Sequence, residues 1–109
     1  MARESVFQSK LIDKIKAMFP GCYVLKNDGS NKPQGFPDLT IYFCDGRWAT
    51  LECKREEDAP KQPNQDYYVD RLNIMGYSRF VYPENEEEVL NDLQRTFGSG
   101  GETRATFSE

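Results

Sequence analysis

Two short stretches of this chain carry the residue types needed for metal-assisted phosphoryl chemistry: Gly35-Phe36-Pro37-Asp38-Leu39 and, one hairpin later, Leu51-Glu52-Cys53-Lys54. Hydrolysing a phosphodiester needs a more basic attacking water, neutralised charge on a phosphorane-like transition state and a stabilised leaving oxygen. One or two Mg²⁺ ions supply most of this. Magnesium takes hard oxygen ligands and keeps several waters, so two carboxylates and a backbone carbonyl are a sufficient protein share. Asp38, Glu52 and the backbone carbonyl of Cys53 meet that description. Glu52 and Lys54, two apart in a strand, point to the same face. Lys54 could then orient or deprotonate the water, or stabilise charge. Each half alone is weak, because exposed acids and lysines are common on strands; their adjacency is what gives them weight.

Composition narrows the chemistry. The 109 residues contain no His, which removes Ser-His and Cys-His nucleophile pairs and every site with His as base or ligand. Cys22, Cys44 and Cys53 are odd in number and widely spaced, so neither a zinc site nor a disulfide framework is expected. They should be reduced and mostly buried. Hydrophobic residues are 38% and aromatics 13%, as in a folded domain, and no apolar run reaches the roughly 20 residues of a membrane helix. The opening Met1-Ala2-Arg3-Glu4-Ser5 lacks the layout of a secretory signal. A cytoplasmic protein without membrane contact is expected, with residues 1–97 as one domain. The net charge of -4 is awkward for a partner rich in phosphate. The acids cluster late, at Glu84, Glu86, Glu87 and Glu88, while Lys10, Lys14, Lys16, Lys26 and Lys32 come early. That acidic run reads as a solvated helix start.

The elements that must position the site follow from periodicity. Val6, Phe7, Leu11, Ile12, Ile15 and Met18 recur at helical spacing from about Arg3 to Phe19, and Pro20-Gly21 closes the segment. Glu4 falls in the first turn, at the edge of the buried face. Cys22 to Lys26 has strand composition, and residues 27–35 form a polar loop. Asp38 to Phe43 and Arg47 to Lys54 form a hairpin about Asp45-Gly46. Arg55 to Gln65, interrupted by Pro60 and Pro63, reads as a loop that is mobile without substrate. A helix from about Asn64 to Gly76 is expected to bury Tyr68, Leu72 and Met75. Tyr77 to Tyr82 is a fourth strand, and Pro83 opens a last helix carrying Val89, Leu90, Leu93 and Phe97. Residues 98–109, starting Gly98-Ser99-Gly100-Gly101, read as a flexible tail. The fold is therefore α/β, in the order α-β-β-β-α-β-α, with a mixed four-stranded sheet flanked by helices.

The hairpin register decides whether Asp38 and Glu52 can act together. A two-residue Asp-Gly turn would leave them on opposite faces of the sheet. A three-residue loop, Cys44-Asp45-Gly46 with Gly46 left-handed, pairs Phe43 with Arg47 and Asp38 with Glu52. It also gathers Leu39, Ile41, Phe43, Ala49, Leu51 and Cys53 on one face and Asp38, Thr40, Tyr42, Trp48, Thr50, Glu52 and Lys54 on the other. Hydrophobic sorting thus favours the register that the chemistry needs. Trp48 and Tyr42 are expected to pack under the opening helix.

These residues resemble the PD-(D/E)XK nuclease superfamily, and within it the VRR-Nuc type, over about Glu4 to Leu93. Gly35-Phe36-Pro37-Asp38-Leu39 looks like its G-x-P-D-apolar motif, Leu51-Glu52-Cys53-Lys54 like its E-x-K, and Gln65 with Leu72 and Gly76 like its Q-x(6)-L-x(3)-G helix. The resemblance implies a restriction-endonuclease-like core and DNA cleavage dependent on Mg²⁺, or on Mn²⁺ in its place. It implies Asp38 and Glu52 as metal ligands and Lys54 as the catalytic lysine. Glu4 would be an auxiliary acid, direct or through water, and Gln65 a polar support for the site. Gln65 could equally be a solvated or capping residue of the helix start. Lys26, Lys32, Arg55 and Lys61 flank the site as candidate DNA contacts. Small stand-alone members of this type, found in phage, include junction resolvases, so a phage or bacterial-cytoplasmic homodimer acting on branched DNA is one expectation. A sequence-specific homing or restriction-like endonuclease and a non-catalytic nucleic-acid-binding domain remain alternatives.

Overall fold

The computed structural model describes residues 4–29 and 31–104, with the backbone alone for 99–104. The elements are α1 (Glu4–Met18), β1 (Tyr23–Lys26), β2 (Leu39–Tyr42), β3 (Trp48–Cys53), α2 (Gln65–Met75), β4 (Ser78–Val81), a 3₁₀ turn (Pro83–Asn85) and α3 (Glu86–Arg104). This is the order expected from sequence. The sheet runs β1-β2-β3-β4. β1 and β3 are antiparallel to β2, and β4 is parallel to β3, reached through α2. None of the helices among the described residues is long and apolar enough to cross a membrane.

The hairpin takes the three-residue loop. Leu39 pairs with Leu51 and Tyr42 with Trp48, and the Phe43 amide donates to Arg47 O at 2.9 Å. Gly46 has φ 93°, a left-handed conformation that costs a residue with a Cβ about 1–2 kcal/mol. The hydrophobic face sorts as expected: Leu39, Ile41, Phe43, Ala49, Leu51 and Cys53 join Phe7, Leu11, Ile15 and Phe19 of the α1 segment and Val89, Leu93 and Phe97 of α3 in one core. Each fully buried Leu or Ile contributes about 1.5–3 kcal/mol relative to exposure. Phe97 stacks on Phe43 with ring centroids 4.2 Å apart, which anchors α3 to the hairpin.

Three expectations change in the structure. The buried line of α2 is Gln65 and Val69, with Leu72 half-buried, while Met75 is exposed and Tyr68 packs edge-on against Phe36. The helix is rotated so that its first amide side chain, rather than an aromatic, faces the sheet. Trp48 and Tyr42 do not lie under α1, because α1 and α3 occupy the opposite face. Trp48 sits against Gly76 at the end of α2, where a Cβ would come within 2.7 Å of its ring, and Tyr42 is exposed beside Tyr23. Finally, α3 runs through Gly98 and on to Arg104 instead of stopping at Phe97. Glycine weakens a helix by about 1 kcal/mol, but unlike proline it keeps the N–H that continues the ladder. The remainder of the expected tail, 105–109, and the expected helix start at Arg3 lie outside the described residues.

Candidate active site

The cleft at the C-terminal end of β3 is built from four segments. Asp38 stands one residue before β2, Glu52 is in β3, Lys54 follows it, and Gln65 opens α2. Together with Glu4, Arg55, Ala59, Pro60 and Gln62 they line a cavity of about 340 Å³. The β2–β3 register places Asp38 opposite Glu52 on the face that carries α2. Asp38 Oδ2 accepts the Cys53 backbone N–H at 2.9 Å.

Pro37 gives this end of the ladder its shape. By the observed register the residue opposite Cys53 is Pro37. In an antiparallel pair of this kind the two residues exchange N–H···O bonds. Pro37 has no N–H to donate, so the Cys53 carbonyl lacks its backbone partner there, while the Cys53 N–H turns to the Asp38 carboxylate. Pro37 O instead accepts Asn27 Nδ2–H at 3.0 Å, and the same amide donates to Thr40 Oγ1 at 2.8 Å. Asn27 thereby ties the end of β1 to the segment bearing Asp38.

Glu52 is 2% exposed. Its Oε2 accepts Gln65 Nε2–H at 2.8 Å, whereas Oε1 is buried without a hydrogen-bond partner. Burial first, and the nearby Asp38 charge second, push its carboxyl up to about 8, against the opposing pull of Lys54 and Lys32. Glu4, at the N-terminus of α1, is also raised, by burial first and then by Asp38. Lys54 is 7% exposed, and its Nζ donates to Pro60 O at 2.8 Å and Gln65 Oε1 at 3.0 Å. Gln65 Oε1 also accepts the Gln62 N–H at 2.9 Å. A single amide therefore joins the acid, the lysine and the loop before α2.

A solved structure described as a VRR_NUC domain matches 84% of this chain and 97% of its own, with a TM-score of 0.66 and 18% sequence identity. The chain has the fold of a VRR_NUC domain. No family model and no curated protein matches the sequence. The VRR_NUC fold is the one expected from the Gly35–Leu39 and Leu51–Lys54 stretches.

Within this VRR_NUC fold the flanking cations divide. Arg55 lines the cleft, and Lys32 Nζ stands 4.0 Å from Asp38 Oδ1 while donating to Phe36 O. Lys26 pairs with Leu39 and so lies on the opposite sheet face. Lys61 is held 3.1 Å from Asp66 and lies over the Phe80 ring, outside the cleft. Among the described residues no three His, Cys, Asp or Glu side chains converge as a ready metal cage. The oxygen donors available are the Asp38 and Glu52 carboxylates and the Cys53 carbonyl. The buried, partnerless Glu52 Oε1 beside the half-buried Asp38 carboxylate fits a cation held by that set, because the Asp38 charge disfavours a second negative charge on Glu52.

Gly35 packs against the loop before α2. It has φ +87°, and a Cβ there would fall 2.5 Å from Pro63 O and 2.8 Å from Asn64. That contact seats the loop which delivers Gln65. Pro60, Gln62, Asn27 and the Pro37–Cys53 mismatch have no sequence signal of their own. Only the loop's hydrogen bonds and the strand register bring them out.

Proposed function

We propose that this chain is a metal-dependent DNA endonuclease that hydrolyses phosphodiester bonds. The observation that carries this reading is the buried Glu52 carboxylate, with one oxygen lacking a partner, set opposite Asp38 and beside Lys54 in one cleft. A solvated pair of acids would not need this arrangement, and holding Glu52 as a carboxylate there costs free energy, since burial and the Asp38 charge push its carboxyl up to about 8. The likeness to a VRR_NUC domain supports the same reading.

In this mechanism Asp38, Glu52 and the Cys53 carbonyl would hold Mg²⁺, or Mn²⁺ in its place, with Glu4 as an auxiliary acid, direct or through water. The bound cation supplies Lewis acidity and a more basic attacking water. Lys54 spends two of its three N–H donors on Pro60 O and Gln65 Oε1. The third remains for a phosphate oxygen in the cleft. In this reading Lys54 stabilises charge on the phosphate. Gln65 positions both groups. Arg55 and Lys32 provide phosphate contacts at the cleft edge, with Lys26 and Lys61 as peripheral ones. A four-way junction or other branched DNA is the proposed substrate, and its symmetric incision would need a homodimer.

Cleavage of linear duplex, flap and four-way-junction DNA, with and without Mg²⁺, tests the proposal. Cutting should require the metal, favour the branched substrates and disappear in Asp38→Ala and Glu52→Ala. A protein that cuts none of them in Mg²⁺ or Mn²⁺, or variants that cut like wild type, would sink the assignment. A preference set by sequence instead of branching would point to a homing or restriction-like enzyme.

A further inference from the structure

A second pocket adjoins the cleft on the far side of Lys54. It measures about 240 Å³ and is lined by Lys54, Glu57, Ala59, Lys61, Phe80 and Tyr82. The strand register explains why the aromatics stand there. Glu52 pairs with Phe80 in the parallel β3–β4 ladder, so their side chains share a face. The Lys54 amide extends that ladder by donating to Val81 O at 2.8 Å. Acids, lysine and aromatics therefore form one row across the ends of β2, β3 and β4.

The aromatic pair is held in place from behind. Asn85 donates Nδ2–H to Phe80 O at 3.1 Å and accepts the Tyr82 N–H at 2.9 Å. Lys61 Nζ lies 4.5 Å from the centre of the Phe80 ring. The half-buried Phe80 and Tyr82 rings offer a stacking surface for a flat π system once the exposed Lys61 side chain, now over Phe80, turns toward the incoming base. Glu57 at the same pocket repels a phosphate. The space is on the scale of one nucleoside, and it begins where the proposed scissile phosphate would contact Lys54.

We infer that the Phe80–Tyr82 pocket is a subsite for an unstacked nucleobase next to the scissile phosphate. The inference rests on the nuclease reading and deepens it. A base can enter only if it is unpaired or easily splayed out, as beside a branch point, so the pocket would select branched or distorted DNA over continuous duplex.

The test begins by mapping the cut position in Mg²⁺. Binding is then measured by fluorescence anisotropy without divalent metal, on the same DNA carrying an abasic analogue at either nucleotide flanking the cut. Wild type should bind the intact DNA roughly tenfold more tightly than the abasic form at one of the two positions, the range of base–aromatic stacking. Tyr82→Leu and Phe80→Leu should remove that difference, and Tyr82→Phe should keep it. Using a substrate modification on unaltered protein separates the subsite from any folding defect in the variants. Equal affinity for intact and abasic DNA at both positions overturns the inference and leaves the nuclease reading standing. So does a preference that persists in both Leu variants. A protein that cuts no DNA overturns the nuclease reading, and the subsite with it.

Discussion

Gln65, at the first position of α2, donates its Nε2–H to Glu52 Oε2 at 2.8 Å while its Oε1 accepts from Lys54 Nζ at 3.0 Å. One neutral amide thus stands between an acid and a cation and bonds to both. Gln65→Ala should lower cleavage by about 10–100-fold, as is typical when a partner of a ligand is lost. The stability cost should be about 1–3 kcal/mol, because Glu52 and Lys54 lose a buried partner. Steady-state cleavage and thermal melting of the same preparation check this. Activity within twofold of wild type would remove Gln65 from the site.

Glu52 makes the metal-free protein sensitive to pH. Its folded-state value of about 8 lies above the 4.5 of an ordinary Glu carboxyl, so between the two the native state holds a proton that the unfolded chain has released. Stability contributed by this group is therefore full below about pH 4.5 and falls as pH rises through 8. Glu52→Gln should flatten that slope, raise the melting temperature at alkaline pH and abolish cleavage. Chemical denaturation from pH 5 to 9, without metal, measures it.

Divalent metal competes with the same proton. Mg²⁺ should raise the melting temperature of wild type more at pH 8 than at pH 6, and chelation should return it to the metal-free value. Asp38→Asn and Glu52→Gln should each remove the metal-induced shift. An equal shift in those variants would place the metal elsewhere.

Pro37 withholds a backbone donor from the Cys53 carbonyl. Pro37→Ala supplies an N–H at that position and should weaken Mn²⁺ binding by about tenfold, by analogy with other groups surrounding a ligand. Calorimetric titration of metal into the two proteins reads the difference directly. Equal affinities would show that the Cys53 carbonyl is not a ligand.

Gly35 and Gly46 both have positive φ, yet they differ in surroundings. Gly46 faces open space, whereas a Cβ on Gly35 would meet Pro63 O at 2.5 Å. Gly46→Ala should cost about 1 kcal/mol, from backbone strain alone. Gly35→Ala should cost roughly 3 kcal/mol, from strain and overlap together. Only Gly35→Ala should also reduce cleavage, since it displaces the loop that carries Gln65. Denaturation midpoints and cleavage rates of the two variants separate these effects.

Local signals in the sequence determined the order of elements, the hairpin register and the pairing of Asp38 with Glu52. Period-2 alternation is strict, so a one-residue slip would have exposed either Leu39, Ile41 and Phe43 or Ala49, Leu51 and Cys53. Tertiary structure decided what surrounds that pair. The rotation of α2 that buries Gln65, the carbonyls that hold Lys54, the partnerless Glu52 Oε1 and the aromatic row from β4 depend on contacts between segments far apart in the chain. Helical period alone cannot settle which flank of a weakly amphipathic helix faces the sheet. That choice was made by buried hydrogen bonds, whose partners no single segment of the sequence contains.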